Sequence, residues 1–126
     1  MEQVGLDETA FVAFRSSPDK TRTQQVFNGQ VPPEKRFHRF MLLEDSDFIF
    51  PDDRSEKYKV IEISMFEGRS VETKKNLIRL LYQNLEQEAG MAGVDVEIII
   101  YETPKCNWGI RGFPGDELEL NYKVDL

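Results

Sequence analysis

The stretch from Tyr58 to Tyr101 constrains the fold most, because its hydrophobic period changes twice within it. Tyr58 to Phe66 is rich in β-branched and aromatic residues. Ile61, Ile63 and Met65 fall on one face, and Val60, Glu62 and Ser64 on the other. Gly68 ends that strand. Ser70 stands where a helix N-cap belongs, and Glu72 adds negative charge to the first turn. The spacing predicts a helix over 71–89, with Leu77, Ile78, Leu81, Tyr82 and Leu85 as its apolar stripe and Gly90 as its closing residue. Burying each stripe residue contributes about 1.5–3 kcal/mol, gross. Val94, Val96, Ile98 and Ile100 then alternate with Asp95, Glu97, Ile99 and Tyr101, which predicts a second strand. A connection of this length predicts a parallel pair joined by a right-handed crossover.

The rest of the chain must pair with that sheet or cover it. Gln3–Leu6 fits a short strand, and Thr9–Arg15 fits a strand or a short helix, since its length does not arbitrate. Asp19 to Asn28 has only Val26 and Phe27 to bury, and Gly29 with Pro32-Pro33 ends it. Arg36 to Leu43 reads as a strand, Glu44 to Asp47 as a solvated turn, and Phe48 to Phe50 as a short edge strand stopped by Pro51. Thr103 to Asp116 is a long loop punctuated by glycine and proline, of the kind that often carries function. Glu117 to Val124 alternates cleanly and predicts a C-terminal strand.

At 126 residues the chain is one domain, and 40% hydrophobic residues suffice for a core. A formal charge of −7 repels phosphate backbones and argues against nucleic-acid binding. With one cysteine, Cys106, and one histidine, His38, neither an intramolecular disulfide nor a metal site is expected. No apolar run approaches the roughly 18 residues that a membrane span needs. The polar N-terminus shows no signal-peptide pattern, so the expected setting is cytoplasmic.

Glu67-Gly68-Arg69-Ser70 after a strand, Glu72 to Lys75 opening the helix and Asn107-Trp108-Gly109 after the last long strand form a recognisable set, together with Val31-Pro32 and Arg36-Phe37. In these residues the chain resembles the tautomerase superfamily, in its two-βαβ branch related to malonate semialdehyde decarboxylase. The likeness covers roughly residues 31–124. It implies an α+β fold of tandem βαβ units, ferredoxin-like, with a four-stranded mixed sheet, two helices on one face and a C-terminal strand. The first half would span about 1–43 and the second about 58–101, with loop and C-terminal strand over 102–126. The resemblance further implies a homotrimer with active sites at subunit boundaries and no cofactor. In that family an N-terminal proline supplies the acid or base, and arginines hold the carboxylate of a 2-oxo acid or its enol. This chain departs from the pattern. Residue 1 is Met, followed by Glu2, so Met1 is expected to stay; no proline precedes Pro18; Lys35 stands where the branch has an aspartate, and Glu67 where it has a first arginine.

The candidate catalytic residues are Met1, through its α-amine, and Arg69. Arg69 either binds an anion beside the helix N-terminus or pairs with Glu67 or Glu72. Arg36, Arg39, Trp108 and Arg111 are the candidate substrate-binding residues. Trp108 either walls the site or plugs a subunit boundary, and Arg111 is either a second cation or a partner of Asp116 or Glu117. His38 as a base, Cys106 as a nucleophile and Arg54 as a site residue are the weaker alternatives. Two functions follow: keto–enol tautomerisation of a small carboxylate-bearing molecule, or a non-catalytic trimeric module that binds a small anionic metabolite or a protein partner.

Overall fold

The computed structural model describes residues 10–15, 24–25 and 38–117. Six strands and one long helix lie within them: β1 (Ala10–Arg15), β2 (His38–Leu43), β3 (Lys59–Phe66), α1 (Val71–Ala89), β4 (Val96–Thr103), β5 (Gly109–Ile110) and β6 (Phe113–Pro114). The main sheet is mixed, in the order β2-β1-β3-β4. β3 and β4 are parallel, β1 and β2 are parallel, and the two pairs meet antiparallel along β1 and β3. Of the stretch 9–15, open between strand and helix on sequence alone, Ala10–Arg15 is therefore a strand. Gln24 and Gln25 are helical; the remainder of 16–37, the stretch Gln3–Leu6 and the strand expected over 117–124 lie outside the described residues, Glu117 apart.

α1 begins and ends where its local chemistry dictates. Ser70 Oγ accepts the Thr73 N–H at 3.1 Å, which satisfies one of the helix's orphan donors and is worth about 1 kcal/mol. At the other end the N–H groups of Gly90 and Met91 close on the carbonyls of Glu86 and Leu85. One face of the sheet receives this helix. Ile61, Ile63 and Met65 of β3, Val96 of β4, Leu81 and Leu85 of α1 and Met91 form the buried core, with Leu77, Tyr82, Ile98 and Ile100 packed at its margin. The opposite face carries Val60, Ile99, Tyr101 and Met41, of which Ile99, Tyr101 and Met41 are exposed.

Three expectations need correction. β4 starts at Val96 rather than Val94, because Asp95 is drawn out of register. Its buried carboxylate accepts the Ser55 backbone N–H and the Ser55 hydroxyl, both at 2.7 Å, so Gly93–Asp95 turns as a 3₁₀ segment and leaves Val94 exposed. Phe48 to Phe50 does not pair as an edge strand. Phe48 and Phe50 instead stack on Tyr58, at centroid distances of 5.4 and 4.8 Å. Ile78 is only half-buried, and Asn84 takes a buried place on α1 that the stripe did not include. Lys59 is fully buried at the head of β3, its ammonium donating to the Lys57 carbonyl.

Candidate functional site

The carboxyl end of a parallel strand pair leaves an open crevice, and here two elements enter it. β3 ends at Phe66 and turns through Gly68 (φ 127°) into α1, which places the half-buried Arg69 just ahead of the helix. Its Nη1 donates to the Phe66 carbonyl at 3.3 Å. From the end of β4 the chain returns through Trp108, whose ring meets the Phe66 ring edge-on, with centroids 4.9 Å apart and planes at 68°. The indole Nε1 donates to Thr103 Oγ1 at 2.5 Å, which fixes the ring's orientation. The Glu67 N–H donates to the Thr103 carbonyl at 3.0 Å, continuing the β3–β4 ladder past the last paired residues. Phe66 and Thr103, neither a candidate on sequence alone, are thus the contacts through which Arg69 and Trp108 are held together.

The start of α1 adds to this crevice. A 19-residue helix brings partial positive charge to its first turn, at Ser70 to Thr73. Lys74 is engaged elsewhere, in a half-buried ion pair with Glu102 at 2.6 Å. Glu72, a possible counter-ion for Arg69, pairs with Arg79 at 3.2 Å; both side chains are mostly exposed, so that pair contributes little. Arg69, the start of α1 and the Trp108–Phe66 pair thus lie together at the carboxyl end of β3. Such a set suits a carboxylate.

The segment after β4 is not the open loop expected over 103–116. Lys105–Asn107 forms a 3₁₀ turn, β5 and β6 form a small antiparallel hairpin, and Gly115–Glu117 forms a second 3₁₀ turn. The hairpin is closed across its base, where the Gly115 N–H donates to the Trp108 carbonyl at 2.7 Å. Ile110 pairs with Phe113, so the connection has two residues, Arg111 at φ 54° and Gly112 at φ 88°. These are the angles of a type I′ turn, whose first central position favours Asn, Asp or Gly. An arginine there costs roughly 1–2 kcal/mol of backbone strain. Arg111 is exposed, and no ion pair to it occurs among the described residues; its expected pairing with Asp116 or Glu117 is not formed. Exposed Cys106 lies in the first turn of this segment, with its thiol 3.6 Å from Asn107 Oδ1.

The other candidates lie apart from this crevice. Met1 and Arg36 are outside the described residues. Arg39 is exposed on β2; its register partner on β1 is Phe11, which in turn faces Glu62 on β3. Because its neighbour Phe40 packs towards the core, Arg39 lies on the face away from α1. His38 sits edge-on to Phe40 at 6.3 Å. Arg54 belongs to the opposite end of the sheet, bound to Asp53 at 2.5 Å and to Glu97 at 3.1 Å. Nearby, burial first and the hydrogen bond to Glu97 second hold the Tyr58 phenol above its ordinary range. Among the described residues no group of three or more His, Cys, Asp or Glu could hold a metal ion, and no helix is long and apolar enough to cross a membrane.

A βαβ unit with a Gly-Arg-Ser turn at its end and a Trp-Gly return beside it defines a small α+β protein. A family model described as tautomerase enzyme matches residues 35–111, and the chain belongs to that family. A 2-hydroxymuconate tautomerase of Comamonas testosteroni is 40% identical over 57 residues, which make up 45% of this chain and 90% of that protein. Among solved structures, a malonate semialdehyde decarboxylase inhibited by 3-bromopropiolate superposes with a TM-score of 0.69 at 24% identity, over 83% of this chain and 89% of that one. A wild-type fused 4-OT, a symmetric trimer, superposes with a TM-score of 0.67 at 20% identity, over 86% of this chain and 96% of that one. At these identities the structural likeness establishes the shared fold.

Proposed function

We propose that this chain transfers a proton between the keto and enol forms of a small 2-oxo acid or related carboxylate, as a cytoplasmic homotrimer that needs no cofactor. The observation that carries this reading is the convergence of Arg69 and Trp108 on Phe66 beside the start of α1. Arg69 binds the substrate carboxylate through its planar fork, and the helix start adds favourable potential. As the enolate forms, negative charge develops beside groups already oriented to receive it. Trp108 and Phe66 keep water from that charge. Arg36 and Arg39 supply further contacts to the substrate across subunit boundaries.

The proton carrier in this reading is the α-amine of Met1, with a reference pKa of about 7.7–8.0. The sheet topology supports it. β1 runs antiparallel to β3, and its first residue, Ala10, lies opposite Ile63. The chain therefore enters β1 from the end of the sheet that carries Arg69. The length of the Comamonas relative, matched by 45% of this chain, supports the tandem plan: two βαβ halves with both helices on one face, completed by a strand that starts after the 3₁₀ turn at Glu117. A trimer is supported by the apolar side chains on the uncovered sheet face, Met41, Ile99 and Tyr101, and by the trimeric fused 4-OT of the same fold. With Trp108 at the subunit boundary, Trp108→Ala is expected to shift sedimentation towards smaller species; an unchanged profile would remove Trp108 from the boundary.

The test is enzymatic. 2-Hydroxymuconate and phenylenolpyruvate are supplied as enols and their ketonisation followed by absorbance. A rate above buffer that scales with protein is the expected result, and none at high protein concentration would sink the catalytic reading. A second reading follows from the sequence departure: no proline precedes Pro18, so the family's secondary amine is not among the first residues. On that reading the trimer binds a small anionic metabolite or a protein partner without turnover. Thermal stabilisation by 2-oxo acids in the absence of ketonisation would identify it.

A further inference from the structure

We infer a second reactive site at the opposite end of the sheet from Arg69, where the ε-amine of Lys59 condenses with the carbonyl group of a small 2-oxo acid. It rests on the amine-and-arginine reading of the Arg69 end and carries that reading to the other end. The strand pairing supports it first. β1 with β2 and β3 with β4 are two parallel pairs that meet antiparallel along β1 and β3, so the strand plan repeats about a twofold axis between them. At the first site an amine ahead of β1 serves with an arginine beyond the carboxyl end of β3. The twofold counterparts are an amine at the head of β3 and an arginine at the carboxyl end of β1. The chain has both: Lys59 opens β3 and pairs with Phe14, and Arg15, the next residue, closes β1. Ser16 follows Arg15 in the sequence as Ser70 follows Arg69.

Lys59 itself is the second observation. It is 0% exposed, although lysine is among the residues least often buried completely. It falls on the face of β3 that carries Ile61, Ile63 and Met65, and its partner on β4, Val96, is buried with them. Its nitrogen donates to the Lys57 carbonyl, which holds the amine at the head of the strand. A lysine kept from water among apolar side chains is in the setting where this residue acts as a base or forms Schiff bases. The carboxyl ends of β1 and β2 lie at this same end, the place where parallel pairs take ligands. In the step, the amine nitrogen bonds to the carbonyl carbon, the carbonyl oxygen leaves as water, and an imine remains.

The test traps that imine in the full wild-type chain. Pyruvate is added with sodium cyanoborohydride, whose hydride reduces the imine to a stable secondary amine, and the labelled positions are read by peptide mass mapping. Lys59 is expected to label about tenfold faster than the exposed Lys57 and Lys75. That preference should vanish in denaturant. Propanal, which has the carbonyl but no carboxylate, is the matched probe. Arg15→Ala is expected to slow pyruvate labelling of Lys59 about tenfold and propanal labelling less than about twofold. A Lys59 that stays unlabelled, or labels no faster than Lys57 and Lys75, overturns the site. A preference that survives unfolding overturns it too, since the fold then has no part in it. Equal losses for both probes in Arg15→Ala remove the arginine from it. Labelling of the Met1 α-amine, read in the same map, reports on the Arg69 end, so the two readings fail separately.

Discussion

Replacing Arg69 with alanine is expected to lower kcat/KM for enol ketonisation by about 10²- to 10³-fold, because the charge-assisted contact it removes is worth roughly 3–4 kcal/mol in a reaction that builds negative charge. The fold should survive. Arg69 is half-buried in a turn, and its bond to the Phe66 carbonyl, at 3.3 Å, is a long one. A hydrogen bond from a charged donor contributes roughly 1.5–3 kcal/mol, which is small against a net stability of about 5–15 kcal/mol. Kinetics and a thermal melt on the same preparation separate the two effects. Arg69→Lys keeps the charge and loses the fork, so it should fall between wild type and alanine. An alanine variant with wild-type kcat/KM would place the carboxylate elsewhere. One with wild-type kinetics and a collapsed melting temperature would make Arg69 purely a structural residue.

Gly115→Ala is expected to destabilise the protein by about 3 kcal/mol, or roughly 10 °C in melting temperature. A Cβ built on Gly115 lies 2.4 Å from the Lys105 carbonyl oxygen and 3.2 Å from Trp108 Cβ. The nearest atom belongs to the backbone of the 105–107 turn, so no side chain can swing aside to make room. The added methyl must open the closure between Gly115 and Trp108, where the N–H donates at 2.7 Å. Loss of that brace frees the Trp108 ring from Phe66, so intrinsic Trp fluorescence should change together with stability. Gly109→Ala, where the added Cβ meets nothing within 4 Å, is the control for a general effect of alanine in the hairpin. Equal melting temperatures for the two variants would show that the close approach at Gly115 is not limiting.

What was legible in the sequence was whatever neighbours in sequence decide. α1 runs over 71–89 as its periodicity requires, because Ser70, Glu72 and Gly90 act within a turn of their own positions. The faces of β3 follow from alternation alone, and the parallel pairing with β4 follows from the length of the crossover. What escaped was set by partners far away along the chain. The start of β4 moved because Asp95 answers Ser55, 40 residues earlier. Phe48 and Phe50 left the strand pattern for the ring of Tyr58. The hairpin at 109–114 went unread because Arg-Gly is an unusual pair for its turn. Of the candidate site, the Gly-Arg-Ser turn and Trp108 were legible as motifs. Their meeting on Phe66 was not, since nothing in the spacing of residues 66, 69 and 108 requires it.

The position of β1 inside the sheet has a consequence for how the protein is made. Its segment Ala-Phe-Val-Ala-Phe-Arg is apolar and comes early in the chain, yet it needs a neighbour on each side. β2 can cover one edge once residue 43 has been added, but the other edge waits for β3, which ends at residue 66. At a synthesis rate of about 5–20 residues per second, the interval between residues 43 and 66 lasts roughly 1–5 s. For those seconds a sticky ribbon with one bare hydrogen-bonding edge stands outside the ribosome, open to holdase chaperones and to the same ribbon on a neighbouring nascent chain.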